Sequence, residues 1–301
     1  MTSGPVRRGR FAPSPTGPLH FGSLVAALGS YLPVRHAGGE WLLRMEDLDE
    51  PRTVPGAADA ILRGLENFGL TWDGPVIWQS SRKEHYQAAL ETLVDLERAY
   101  PCACSRAEER AAAEALGLPR GVYPGTCRVG LGGRAARSWR FLVQGLPPVH
   151  FVDAGLGAQQ QDVAAEVGDF TIRRADGLFA YQLAVVVDDA DSGITEVVRG
   201  ADLLDSTPRQ ILLQGALGLS TPGYHHLPVA INAAGDKLSK QTGAPPVDDS
   251  APAEALWRAL DFLGQEPPTE LRGAGPEELL PWATAAWDPD RVPRGPRVVL
   301  D

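Results

Sequence analysis

The chain has 301 residues, of which 44% are apolar and 22% charged, and its formal net charge is −10 at pH 7. This composition is ordinary for a water-soluble globular protein, and the negative charge argues against wholesale non-specific binding of nucleic acid. No apolar run is long enough to span a membrane, the first residues lack a signal-peptide pattern, and the three cysteines do not indicate a disulfide framework. We therefore expect a cytoplasmic protein without a membrane partner.

The first part of the chain predicts the strand–helix–strand unit of a parallel α/β sheet. Residues 6–11 and 41–45 are apolar enough for buried strands, and residues 22–37 between them form a helical pattern that a glycine pair ends. A further helix is predicted over residues 55–68. The fold class we expect is therefore α/β.

The loop between the first strand and the first helix is the most informative segment. It runs from Arg10 to Ser23 and is rich in proline. Unpaired N–H groups at a helix start and the helix dipole both attract anions. Gly22 lets a nucleotide approach the backbone, and His20 adds a polar group that can contact a phosphate. We predict a nucleotide site here.

The middle of the chain interrupts the α/β alternation. Two Ser-x-x-Glu sequences, beginning at Ser81 and Ser105, predict capping boxes at the start of two helices. Glycine, proline and arginine then become frequent over residues 101–161. We expect an inserted β-rich module here, with residues 139–143 and 149–152 as its strands.

The α/β pattern resumes after this module. Asp176–Gly177 predicts a hairpin turn, and Pro208 suits the first turn of a helix. The further elements we predict are a helix from Gln182, strands at 194–199 and 227–231, and helices at 206–218, 251–263 and 276–287.

Arginines are clustered in the middle of this acidic chain. Arg128, Arg134, Arg137 and Arg140 fall within thirteen positions, and Arg173–Arg174 forms a second cluster. They are either scattered, solvated side chains or a local basic face, and charge alone favours the first interpretation.

The three cysteines lie close together in sequence. Cys102, Cys104 and Cys127 fall within 26 positions, and Tyr123 lies between them. Three thiolates and a phenolate could close a tetrahedral zinc site, although tyrosine is an unusual ligand. The alternative is three reduced, buried thiols beside a structural tyrosine, and the residues alone leave both open.

Three motifs, taken in order, resemble a known family. Arg10–Gly22 reads Arg-Phe-Ala-Pro-Ser-Pro-Thr-Gly-Pro-Leu-His-Phe-Gly, residues 237–240 read Lys-Leu-Ser-Lys, and Val198–Gln210 reads Val-Arg-Gly-Ala-Asp-Leu-Leu-Asp-Ser-Thr-Pro-Arg-Gln. Together they resemble the signatures of class I aminoacyl-tRNA synthetases of the glutamyl/glutaminyl branch, over about residues 6–243. The resemblance implies a Rossmann-like catalytic domain with a parallel sheet.

The resemblance also implies roles for individual residues. Glutamate has two carboxylates and one ammonium, so its site needs arginines and one acid. Catalysis is expected from His20, Lys237 and Lys240, and ATP, with Mg²⁺, is expected to bind His20, Gly22, Ser23 and Lys240. The residues expected to bind L-glutamate are Arg10, Phe11, Ala12, Pro13, Ser14, Glu46, Tyr181 and Arg199.

Further features resemble one subgroup, the glutamyl-Q tRNA(Asp) synthetases. These features are the Cys-x-Cys…Tyr-x-x-x-Cys pattern, Gln241 after the lysine motif, and the roughly sixty residues beyond it, too few for a large anticodon-binding region. The resemblance implies a structural Zn²⁺ on Cys102, Cys104, Tyr123 and Cys127. It also implies that glutamate is activated without tRNA and transferred to the cyclopentenediol of queuosine, at the anticodon wobble position of tRNA(Asp), by a monomer.

This interpretation divides the chain into four parts. They are the two halves of the catalytic domain, 1–100 and 169–243, the inserted module, 101–168, and a short helical region, 244–301. Three alternatives are a truncated glutamyl-tRNA synthetase charging a tRNA 3′ end, a non-catalytic RNA-binding paralogue and a small-molecule adenylyltransferase. The presence of both halves of a phosphate site argues against the non-catalytic alternative.

Overall fold

The computed structural model describes residues 6–231 and 246–299. The helices there are α1 Phe21–His36, α2 Ala57–Asn67, α3 Lys83–Asp95, α4 Arg106–Ala115, α5 Val163–Glu166, α6 Tyr181–Asp191, α7 Thr207–Ala216, α8 Pro252–Phe262 and α9 Pro276–Ala286. The strands are β1 Arg8–Phe11, β2 Glu40–Met45, β3 Ile77–Trp78, β4 Ala99–Cys102, β5 Ser138–Phe141, β6 Val149–Asp153, β7 Gly157–Gln161, β8 Thr171–Arg173, β9 Glu196–Gly200, β10 Gly223–Leu227, β11 Val229–Ile231 and β12 Arg297–Val299.

The predicted strand–helix–strand unit is confirmed. Strands β1, β2 and β3 pair in parallel in that order, with Arg10 opposite Leu42. Helix α1 connects β1 to β2 and buries Leu24, Leu28 and Leu32 completely in the larger hydrophobic core. A fully buried leucine stabilises a fold by about 1.5–3 kcal/mol, so this face holds the helix firmly against the sheet.

The second half of the sheet lies directly beside the first. Strands β9, β10 and β6 run parallel, with β7 antiparallel at the edge. The Thr195 N–H donates to the Arg8 carbonyl at 2.9 Å and so joins β9 to β1. Helix α1 passes so close to β10 that a Cβ on Gly29 would lie 2.4 Å from a Leu227 methyl. The parallel α/β architecture expected from the sequence is therefore present.

The strands in the region of the inserted module differ from the prediction. Strands β4, β5 and β8 form an antiparallel sheet, in which β5 was predicted as a strand of the module whereas β4 begins before residue 101 and β8 lies after residue 168. Residues 149–152, predicted as a second strand of the module, instead belong to β6, which pairs with β10 and β7. The reason is long-range: the Asp153 carboxylate accepts the His226 N–H at 3.1 Å, which fixes this strand in the main sheet.

Two local predictions gave opposite results. Ser105 caps α4 in a complete capping box with Glu108, as predicted. The predicted capping box at Ser81 is wrong, because residues 79–82 form a 3₁₀ turn and α3 begins after it, at Lys83. The Ser81 hydroxyl donates to the Trp78 carbonyl instead.

Further helices lie close to their predicted positions, whereas five of the described strands, β3, β4, β7, β10 and β12, were not predicted. Helices α2, α7, α8 and α9 begin and end within about two residues of the prediction. Strand β10 was missed because His225 and His226 interrupt its apolar pattern, and β12, which pairs in parallel with β11, lies in a segment rich in proline and arginine. Over residues 6–231 and 246–299, no helix is both long and apolar enough to cross a membrane.

Candidate functional site

A cavity of about 480 Å³ lies where β1 ends and α1 begins. His20 is the N-cap of α1, and its Nδ1 accepts the Ser23 N–H at 3.3 Å. In a neutral imidazole this places the proton on Nε2, which makes that nitrogen a donor. The predicted residues that line the cavity are Phe11, Ala12, Pro13, Ser14, His20, Gly22 and Ser23. A helix N-terminus that opens into a cavity in this way suits a phosphate group.

A second, smaller cavity of about 160 Å³ adjoins the first. Ser14, Glu46 and Tyr181 line it, and Ser14 lines the larger cavity as well. The Pro13 carbonyl accepts the Glu46 N–H at 2.9 Å, which attaches the proline loop to the end of β2. Ligands in the two cavities would therefore meet at Ser14.

A buried network of charges lies behind the smaller cavity. The Asp189 carboxylate accepts Arg10 Nε at 3.0 Å and Arg44 Nη1 at 2.6 Å, and Arg44 Nη2 donates to Glu46 at 3.3 Å. Burial alone would raise the pKa of Asp189, but the two arginines hold it below its usual range. In the described chain, the Arg10 side chain donates only through Nε, so its two terminal nitrogens can bind a ligand carboxylate.

Glu46 differs from Asp189 in its electrostatic balance. Burial raises the pKa of Glu46 above its ordinary value, and Arg44 and Arg10 oppose that rise only in part. A buried carboxylate without full compensation is stabilised by a cation, so a ligand ammonium would fit beside it.

Arg199 is held by a chain of buried polar groups. Its Nη1 donates to the Tyr181 hydroxyl at 3.3 Å, and its Nη2 donates to Thr207 Oγ1 at 2.8 Å. Its Nε lies 3.1 Å from Nε2 of His226, whose Nδ1 lies 2.6 Å from Asp153. Because Asp153 can only accept, Nδ1 carries the proton and Nε2 accepts from Arg199. Burial lowers the pKa of His226, which favours this neutral form.

Most of the predicted residues that the structure describes line one of the two cavities, Arg10 and Arg199 line neither, and the residues that hold these side chains in place were not predicted. Arg44, Asp153, Asp189 and His226 carry no motif, and Asp189 occupies a buried position of the apolar helix α6. A charged pair on the apolar face of a predicted helix is the signal that could have indicated Asp188 and Asp189. Lys237 and Lys240, predicted to be catalytic, lie outside the described residues.

The cysteine cluster lies within the inserted module. The three Sγ atoms are all within 4.8 Å of one another, and Cys104 and Cys127 are 3.5 Å apart. The Tyr123 hydroxyl lies 3.4 Å from Cys102 and 3.9 Å from Cys104. Burial would raise the pKa of Cys127, but hydrogen bonds from the Ala103 N–H and Tyr123 bring it to about 7. Sulfur atoms bound to one tetrahedral Zn²⁺ are about 3.8 Å apart, so the cluster suits that ion.

Comparison with known proteins indicates a relationship over the full catalytic region. The family model for the catalytic domain of class I tRNA synthetases (E and Q) matches residues 6–127 and 142–268. The glutamyl-Q tRNA(Asp) synthetase of Chromobacterium violaceum is 57% identical over 296 residues, which cover 98% of each chain. The glutamyl-Q tRNA(Asp) synthetase of Aromatoleum aromaticum is 56% identical over 287 residues, which cover 95% of this chain and 90% of that one.

Solved structures show the same fold in longer proteins. The glutamate-tRNA synthetase of Elizabethkingia anophelis is similar with a TM-score of 0.82 and 26% identity, over 99% of this chain and 68% of that one. A glutamate tRNA ligase of Elizabethkingia meningosepticum, solved in complex with its amino acid, has a TM-score of 0.80 and 27% identity, over 96% of this chain and 66% of that one.

Proposed function

Because the chain belongs to the class I tRNA synthetases of the glutamate and glutamine type, and within them to the glutamyl-Q tRNA(Asp) synthetases, we propose that it joins L-glutamate to queuosine in tRNA(Asp). It is a ligase of that family. Glutamate is first activated with ATP, in the absence of RNA, and the glutamyl group is then transferred to the cyclopentenediol of queuosine at the anticodon wobble position.

The single observation that most supports the proposed activation step is that the two cavities share a wall. Glutamate would bind at the smaller one, where Glu46 provides an anion for its ammonium. Arg10 and Arg199 line neither cavity, but Arg199 contacts Tyr181 of the smaller one and Arg10 shares Asp189 with Arg44, so both would provide cations for its carboxylates. ATP fits the larger one, with its phosphates at the start of α1 beside His20. Ser14 lines both cavities, so the glutamate carboxylate and the α-phosphate would meet there.

The chemistry follows from that placement. A glutamate α-carboxylate oxygen attacks the α-phosphorus, the bond to the β-phosphate bridging oxygen breaks, and pyrophosphate leaves, so that a mixed anhydride forms. Charge develops on the phosphate oxygens, and the His20 Nε2–H and the N–H groups at the start of α1 would stabilise it. Bound ATP would carry Mg²⁺, which would neutralise part of the phosphate charge. Lys237 and Lys240 are proposed to contact the same phosphates.

The second step is an ester-forming transfer. A hydroxyl of the cyclopentenediol attacks the glutamyl carbonyl carbon, the carbon–oxygen bond to AMP breaks, and AMP leaves with the bonding electrons while the hydroxyl proton passes to solvent. The relatives named above support queuosine in tRNA(Asp) as the acceptor, since they match this chain along nearly its whole length. A glutamyl-tRNA synthetase that charges a tRNA 3′ end is the second candidate, favoured by the similarity to the glutamate-tRNA synthetase of Elizabethkingia anophelis.

The cysteine cluster is proposed to hold one structural Zn²⁺. Cys102, Cys104 and Cys127 would bind it as thiolates, with Tyr123 as the fourth ligand. All four side chains are buried, and the ion would fix β4 to the loop that carries Cys127. It would add folding free energy to a module that buries few apolar side chains near this cluster.

Two measurements test the proposed reaction. Glutamate-dependent ATP–pyrophosphate exchange should occur without RNA, and glutamate should then be transferred to tRNA(Asp) that carries queuosine but not to tRNA(Asp) that lacks it. Absence of exchange would overturn the activation step. Exchange followed by charging of tRNA regardless of queuosine would support the second candidate instead.

Metal content tests the zinc proposal. The purified protein should contain about one Zn²⁺ per chain, and Cys102→Ala should lose it. Tyr123→Phe removes one ligand and keeps the three thiolates, so it should retain zinc with weaker affinity. Native protein free of metal, purified without chelators and with its thiols reduced, would contradict the proposal.

A further inference from the structure

A groove of about 650 Å³ lies between the inserted module and α7, apart from the two cavities described above. Helix α4 contributes Arg106 and Arg110 to its lining, strand β5 contributes Arg140, and helix α7 contributes Arg209. Four arginines around one groove are unexpected in a chain whose net charge is −10.

The acidic side chains in this groove are already paired. Glu109 forms an ion pair with Arg140, and Asp169 accepts Arg128 Nε at 2.6 Å. By contrast, Arg106, Arg110 and Arg209 make no ion pair anywhere within residues 6–231 and 246–299. The groove therefore holds an excess of positive charge.

Arg209 is the strongest indication of a ligand. It is partly buried, its Nε is inaccessible and has no hydrogen-bond partner in the described structure, and its Nη2 donates only to the Asp205 carbonyl, at 3.2 Å. Burial lowers the pKa of Arg209, with Asp205 opposing it only in part. A partly buried cation without a carboxylate partner lowers the stability of the fold, and an anion that binds it restores that stability.

Arg106 and Arg110 are a second indication that the groove binds an anion. They lie one turn apart on α4, at positions where like charges repel by a few tenths of a kcal/mol. Both are exposed, and both border the same groove as Arg209. Residues that lower stability locally and converge on one groove indicate a binding role.

The arginine cluster noted in the sequence does not provide the unpaired charge of this groove, and its member Arg137 does not line the groove. Arg128, Arg134 and Arg140 each pair with a nearby carboxylate, namely Asp169, Glu108 and Glu109, although Arg140 borders the groove. They hold the module together. The unpaired arginines come from α4 and α7, which are about a hundred residues apart in sequence.

The groove is connected to the proposed glutamate site through α7. This helix begins at Thr207, which accepts a hydrogen bond from Arg199, and Arg209 lies two residues further along. A polyanion lying in the groove would therefore pass beside the helix that positions Arg199.

We propose that Arg106, Arg110 and Arg209 bind backbone phosphates of the RNA substrate. This inference rests on the proposed function, since it concerns the RNA that receives the glutamyl group. Phosphodiesters match the site because they are anionic, repeat along a chain and accept the forked hydrogen bonds of guanidinium groups. Arginines that contact phosphates position an RNA without reading its sequence.

Two variants test the groove, and a control removes as many charges as the double variant does. The variants are Arg209→Gln and Arg106→Gln/Arg110→Gln, and the control is Arg63→Gln/Arg297→Gln, which changes two exposed arginines elsewhere that also lack ion pairs in the described chain. The assays are binding of queuosine-bearing tRNA(Asp) at several salt concentrations, transfer of glutamate to it, and ATP–pyrophosphate exchange without RNA.

We expect RNA affinity to fall about tenfold for each phosphate-binding arginine replaced, and the slope of log affinity against log salt to shrink by about 0.7 per arginine. Exchange without RNA should be unchanged, and the control should bind RNA nearly as the parent protein does. If the double variant, whose exposed positions should not affect folding, binds RNA as tightly as the control, the groove proposal is wrong. Absence of exchange in the parent protein would instead overturn the proposed activation, and RNA binding would still test the groove.

Discussion

At the scale of single residues, the site depends on where each charge is compensated. Asp189 sits between two arginines and stays ionised, whereas Glu46 lies at the cavity with only partial compensation. The sequence motifs predicted Arg10, Glu46 and Arg199, because these residues stand next to recognisable neighbours. They could not predict Asp189 or His226, whose roles arise only when distant segments meet.

The binding of glutamate should depend on pH through Glu46. Since the pKa of Glu46 is raised, its negative charge is lost at a higher pH than for an ordinary glutamate as the solution is acidified, and the ligand ammonium then loses its partner. We expect the KM for glutamate in the exchange assay to rise as pH falls. Glu46→Gln should raise KM about 10–100-fold and remove this dependence. Asp49→Asn is the control, because Asp49 lines the same cavity but is paired with Arg52 and Arg174.

His226 should act on glutamate binding by positioning Arg199. His226→Ala leaves Arg199 Nε without its acceptor, so we expect KM for glutamate to rise about tenfold with a smaller change in kcat. His225→Ala is a matched control, since His225 is also buried and its Nε2 has no hydrogen-bond partner among the described residues. Both variants should lower stability. Equal KM values in the two variants would contradict the positioning role.

At the scale of elements, local signals predicted helices and turns well and strand partners poorly. Gly177, at the turn after Asp176, has a φ of 86°, as the hairpin prediction required. The pairing across this turn, however, is only a single bridge between Arg173 and Phe179. Capping and turn residues act over a few positions, so the sequence displays them directly. The partner of a strand is decided by residues far away, as β6 and Asp153 illustrate.

The two Ser-x-x-Glu motifs allow a direct comparison of the same pattern in two settings. Ser105→Ala removes a side chain that accepts the Glu108 N–H, so we expect the free energy of unfolding to fall by about 1 kcal/mol. Ser81→Ala removes only a hydrogen bond from an exposed hydroxyl to the Trp78 carbonyl. It should lower the free energy of unfolding by only a few tenths of about 1 kcal/mol. Urea denaturation measures both. An equal decrease in the two variants would show that the capping geometry is not what stabilises α4.

At the scale of the whole molecule, helix α6 joins the parts of the chain that flank the module. Asp188, completely buried, accepts hydrogen bonds from Gln79 at 2.7 Å, Arg82 at 2.6 Å and Tyr86 at 2.9 Å. These partners all come from the segment before the module. The sequence predicted that the α/β pattern resumes after the insertion, but not that two adjacent aspartates make the connection, because both lie within an apolar helical pattern.

Removing this connection should destabilise the entire protein. Asp188→Ala leaves Arg82, Gln79 and Tyr86 without a shared acceptor, so we expect the free energy of unfolding to fall by about 3–5 kcal/mol. Asp191→Ala removes a half-exposed carboxylate that pairs with the same Arg82 and should cost less than about 1 kcal/mol. Thermal unfolding compares them. A similar decrease for both would mean that burial of the Asp188 network contributes little.

The Asp189 bridge has a consequence for how this enzyme can be observed in solution. Its carboxylate joins Arg10, which is 179 positions away in sequence, to Arg44, which is 145 positions away. An amino acid that contacts Arg10 and Glu46 therefore binds only to folded chains, in which Asp189 already contacts both arginines. By thermodynamic linkage, such a ligand at a hundred times its Kd raises the free energy of unfolding by about 2.7 kcal/mol. The melting temperature, recorded by calorimetry at increasing glutamate concentrations, would thus report how tightly glutamate binds to the folded chain, with neither nucleotide nor RNA present.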